Sequence, residues 1–68
     1  MANINEKVGN KVRQIRRKKG MTQEALAYEA KIDYSYLNEI EAGKRNPSIK
    51  RLQAIARALN VSIKELFD

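Results

Sequence analysis

Apolar residues return at intervals of three and four through most of this chain, and nowhere do they alternate strictly with polar ones. Ile4, Val8, Val12 and Ile15 fall on one stripe of a helix. Ile49, Leu52, Ile55, Ala56 and Leu59 form another stripe of the same period. Between these, Leu26, Ala27 and Ala30 make a narrow stripe of small residues, and Leu37, Ile40 and Glu41 share a further face. A chain patterned this way folds as packed helices rather than as a sheet.

The punctuation agrees. Gly20 and Gly43 stand where helices end, and Asn60 can take the left-handed position that closes a third. Thr22, Asp33 and Ser48 stand where helices begin, and each can cap one. Ser62 and Glu65 read as a capping box ahead of Ile63, Leu66 and Phe67. The expected architecture is all-α: a single domain over 1–68, with five helices at about 4–19, 22–30, 33–42, 48–59 and 62–67.

Sixty-eight residues barely supply a hydrophobic core, so the packing must be tight. The chain has no Cys and no His. Disulfides, thiolate nucleophiles, His general bases and nearly all zinc sites are thereby excluded. With no Gly-rich phosphate loop either, an enzyme is not expected, nor a metal or cofactor. No apolar run suits a signal peptide or a membrane span. Absence of Cys fits a cytoplasmic location. At this size there is no room for a ligand-sensing domain, so no small-molecule ligand is expected, and regulation should act through concentration, dimerisation or a partner protein.

Charge points to an anionic partner. Lys and Arg number 14 against 8 acids, for a net charge of +6. The excess is uneven: residues 7–19 carry seven positives and no acid, and residues 44–57 carry five positives. Residues 24–41 carry five acids and one Lys. The flanks should attract a polyanion, while the segment between them should penalise imperfect docking. Arg16 to Lys19 has a polybasic look, but a solvated helix end explains it more simply.

Thr22 to Ile40 is the informative segment: a short helix, a turn of about three residues, and a second short helix. Ala27 lies where the second helix should cross, and Leu26, Leu37 and Ile40 fill the shared core. The short turn should oblige Asp33 to cap the second helix.

Gln23-Glu24-Ala25-Leu26-Ala27, Ala30-Lys31-Ile32-Asp33 and Tyr36 through Ser48 resemble the XRE family. This is the family of lambda-type phage repressors and Cro proteins, restriction–modification controllers, and many bacterial regulators and antitoxins. The resemblance extends over Leu52, Ile55, Ala56, Leu59, Val61, Ser62, Leu66 and Phe67, nearly the whole chain. It implies a lambda-repressor-like domain that binds double-stranded DNA through a recognition helix at 33–42. It further implies a homodimer on a pseudo-palindromic operator, repressing or activating transcription. One position departs from the pattern: Lys31 stands where the family usually has Gly, and should be left-handed.

The resemblance also assigns roles. With Leu37, Ile40 and Glu41 inward, Tyr34, Ser35 and Asn38 are the base-edge candidates. Glu39 either accepts from cytosine N4 or opposes nearby phosphates. Gln23, Lys44, Arg45 and Asn46 are phosphate candidates. Tyr36 either contacts the DNA backbone through its hydroxyl or is a packed flank residue. Arg16 and Glu41 are expected to form a structural ion pair holding helix 1 on the recognition helix. Ile63 and Phe67 either close the core or form a self-complementary dimer patch. The competing function is an antitoxin or bridging module whose main partner is another protein; the absence of a long tail argues against it.

Overall fold

The computed structural model describes residues 3–68. Its elements are α1 (Ile4–Lys18), α2 (Gln23–Ala30), α3 (Tyr34–Glu41), α4 (Ile49–Leu59) and a 3-10 turn (Ile63–Phe67). Among the described residues four α-helices are present where five were expected. The Ser62–Glu65 signal does open a helical segment: the Glu65 carboxylate accepts from the Ser62 backbone N–H at 3.1 Å. The Glu65 N–H then bonds Ser62 O, three residues back, at 3.1 Å. Five residues close too few i→i−4 bonds to offset nucleation, so the tighter winding prevails.

Local chemistry sets the other ends. Asn3 caps α1 and forms a capping box with Glu6, a signal the sequence reading passed over. Thr22 Oγ1 accepts from Ala25 N–H, and Ser48 Oγ from Arg51 N–H. Asp33 stands at the N-cap of α3 but does not cap it: its carboxylate instead accepts from the Ser35 hydroxyl. That expectation fails because a nearer donor claims the carboxylate.

Lys31 and Asn60 close α2 and α4 in the left-handed conformation, at φ 58° and 60°. For Lys31 this is the strained solution the departure from Gly implied. Lys31→Gly should therefore raise stability by about 0.5–1 kcal/mol, part of the released strain being offset by the freer unfolded chain. In a domain this small that moves the melting temperature up by a few degrees. A thermal melt of the variant checks it, and a lower midpoint would overturn it.

The core is one cluster: Val8 and Val12 of α1, Leu26, Ala27 and Ala30 of α2, Leu37 and Ile40 of α3, four residues of α4, and Leu66. Within it α1 packs on α3, α2 packs on α3 and α4, and the 3-10 turn closes against α1 and α4. Ile4 and Ile49, expected on the inner stripes, are each 60% exposed. Both are the first residue of their helix.

The backbones of α1 and α3 approach closely at Gly9. A Cβ built on Gly9 would lie 2.2 Å from the Ile40 carbonyl oxygen and 2.9 Å from that of Glu41. Only a bare backbone lets α1 lie there, so Gly9 fixes how the third helix is carried.

Candidate nucleic-acid interface

The site is built outward from a buried charge. Glu41, at the C-terminal end of α3, is 2% exposed, and Arg16 of α1 is 7% exposed. Arg16 Nε donates to Glu41 Oε2 at 2.7 Å and Nη2 to Oε1 at 3.1 Å, a two-pronged pair. Arg16 Nη1 donates to the Met21 carbonyl at 2.8 Å. One guanidinium thus ties α1, the α1–α2 connection and α3 together. Arg13, one turn earlier, adds its Nη2 to the Glu41 carbonyl at 3.4 Å, and its Nε lies 3.5 Å from Oε1. No buried side-chain nitrogen or oxygen among the described residues lacks a partner.

The same carboxylate reaches the surface of the motif. Gln23, the first residue of α2, donates from Nε2 to Glu41 Oε1 at 3.0 Å. Its Oε1 accepts from Asn38 Nδ2 at 3.3 Å. A carboxylate only accepts, so Gln23 must turn its amide nitrogen inward and its oxygen toward Asn38. Gln23 and Asn38, assigned separately to phosphate and base, are therefore physically joined. Each keeps a second amide hydrogen for a ligand.

Tyr34 is 48% exposed at the start of α3. It lines a groove with Arg13, Arg16, Arg17, Thr22, Gln23 and Glu24. Ser35 is exposed, with its hydroxyl donated to Asp33. Lys44 and Asn46 are exposed in the loop after α3.

Tyr36 is half-buried and its ring packs against the core. The Arg45 guanidinium lies 5.5 Å from the ring centre and that of Arg51 5.6 Å from it. Arg45 Nε also donates to Glu39 Oε1 at 2.8 Å. Glu39 thereby meets a phosphate candidate of its own chain. Arg51 and Arg13 were not singled out from the sequence. Arg13 had a usable signal, standing three residues before Arg16 on the same helix face. Arg51 had none, since only the fold brings the first turn of α4 to Tyr36. At the other end, Ile63 packs partly on the core while Phe67 is 48% exposed.

An eight-residue helix with one outward face, flanked by guanidinium and lysine groups, matches a B-DNA major groove about 12 Å wide. The chain is similar to proteins already known. Control protein C.BamHI of Bacillus amyloliquefaciens is 45% identical over 67 residues, covering 97% of this chain and 83% of the relative. Control protein C.MunI of a Mycoplasma species is 37% identical over 69 residues, covering 100% and 93%. The crystal structure of the restriction-modification controller protein C.AhdI from Aeromonas hydrophila superposes with a TM-score of 0.91 at 38% identity, covering 93% of this chain and 96% of that one. Residues 12–66 match the family model described as Helix-turn-helix, and the chain belongs to that XRE-type family.

Proposed function

We propose that the protein is a DNA-binding transcription regulator that reads a two-fold symmetric operator as a homodimer, with α3 in the major groove. The observation that carries it is the division of α3. Leu37, Ile40 and Glu41 are buried, while Tyr34, Ser35 and Asn38 are exposed on the other side. Tyr34, Ser35, Asn38 and Glu39 supply base contacts. Gln23, Tyr36, Lys44, Arg45 and Asn46 supply backbone contacts. The exposed Phe67 and the half-buried Ile63 are the candidates for the self-complementary patch.

The two relatives named as control proteins and the restriction-modification controller support a narrower reading: this chain regulates the genes of a restriction–modification system. The protein works in the cytoplasm and carries out no catalysis.

Selection from a randomised duplex library at about 150 mM salt tests the reading. The expected product is an inverted repeat with half-site centres about 34 Å apart, one helical turn. Binding without an enriched sequence, vanishing as salt rises, would leave only a backbone attraction and overturn it.

A further inference from the structure

Glu39 and Arg45 form an ion pair that the DNA-binding reading does not itself require. The two side chains are 43% and 55% exposed, and the pair closes at 2.8 Å. Glu39 follows Tyr36 by one turn of α3, so ring and carboxylate share a face. Together they place Arg45, a loop residue, on the recognition helix. Arg51 lies against the same ring, so two guanidinium groups share one aromatic ring, and only Arg45 meets the carboxylate.

We propose that Glu39 is a selectivity residue acting through Arg45: it holds that guanidinium away from DNA phosphates until a base-edge amino group engages the carboxylate. The inference rests on the DNA-binding reading above. Non-specific affinity comes almost wholly from cations meeting phosphates. A free loop arginine would serve any sequence. Held by Glu39, Arg45 must exchange one anionic partner for another when it takes a phosphate, and on non-cognate DNA the Glu39 carboxylate is left without a donor. Where a base presents an amino group, such as cytosine N4 or adenine N6, Glu39 gains a new donor and Arg45 is released to the backbone. Base readout and phosphate contact become one event. An exposed pair is weak enough to open readily, which a gate needs.

The test measures binding of wild type, Glu39→Gln, Arg45→Ala and the double variant to a short random-sequence duplex between about 50 and 200 mM salt. All four are checked for unchanged helicity. Glu39→Gln is expected to tighten random-duplex binding about two- to five-fold, the range of an exposed ion pair. It should also steepen the salt slope by about 0.9, one added phosphate contact. In the Arg45→Ala background the gain should fall to less than half.

A gain that persists undiminished without Arg45 would mean that Glu39 repels phosphates directly, and would overturn the proposal. So would unchanged or weaker random-duplex binding by Glu39→Gln. Failure of wild type to bind any duplex at low salt would instead remove the DNA-binding reading, and the gate with it.

Discussion

Arg16→Ala is expected to remove about 3–5 kcal/mol of folding stability, the usual consequence of leaving one member of a buried pair alone. A domain of this length has only about 3–10 kcal/mol in total. The variant should therefore be largely unfolded or melt far below wild type. The loss has identifiable parts. Glu41, with no exposed side-chain surface, would lose its two-pronged partner, and the Met21 carbonyl would lose a donor. Arg13 and Gln23 remain, at 3.5 and 3.0 Å from Glu41 Oε1, but neither supplies a fork. Arg16→Lys keeps the charge without the planar geometry and should fall between the two. Urea denaturation checks all three proteins. A midpoint for Arg16→Ala within about 1 kcal/mol of wild type would show that the pair is not what holds α1 on α3.

Gly9→Ala should be nearly as damaging, and here two principles predict opposite signs. Intrinsic helix propensity favours Ala over Gly by about 1 kcal/mol. The packing opposes it: the new carbon would stand 2.2 Å from the Ile40 carbonyl oxygen, where about 3.3 Å is the ordinary approach. That atom belongs to backbone, so no side chain can swing aside. The two helices must separate by roughly 1 Å, and overpacking of this kind typically costs about 1–3 kcal/mol. Separation would also draw Glu41 away from Arg16, so the loss should lie at the upper end. The damage should then be less than additive with Arg16→Ala, because both substitutions break one contact between the same helices. A chemical denaturation curve decides the sign. A more stable Gly9→Ala would mean that α1 and α3 can part freely.

Those two substitutions mark what a linear reading could and could not reach. The caps at Thr22 and Ser48 and the left-handed Asn60 are local events between neighbours, and the residue types carry them, while the left-handed Lys31 followed from the family pattern. The stripes on α2, α3 and α4 were equally legible, because burial follows helical period. Ile4 and Ile49 escaped because both open their helices, and a stripe's period does not record what lies opposite its first residue. The last segment was misassigned because one turn of α-helix and one of 3-10 helix differ by too small a balance for residue types to decide. Gly9 gave no local signal at all: a lone glycine in a helix looks like a tolerated defect until α3 is laid across it. The outward candidates on α3 followed from the helix wheel and the family pattern. Their partners did not, since Gln23 meets Asn38 and Arg45 meets Glu39 only in three dimensions.

The chain of bonds from Glu41 through Gln23 to Asn38 restricts how this protein could be given a new target. Position 38 looks exchangeable, being exposed and outside the core. It faces the Gln23 oxygen, however, and that oxygen cannot rotate away without presenting itself to a buried carboxylate. A side chain that donates a hydrogen bond keeps this contact, whereas one that cannot leaves the Gln23 oxygen to solvent, or without a donor where bound DNA excludes water. Asn38→Asp would set three acceptors in a row with no proton between the last two. The repertoire open to an evolving or redesigned recognition helix at this position is therefore bounded from inside the fold. Residues that satisfy a new base but cannot donate to Gln23 are favoured by a matching change at Gln23.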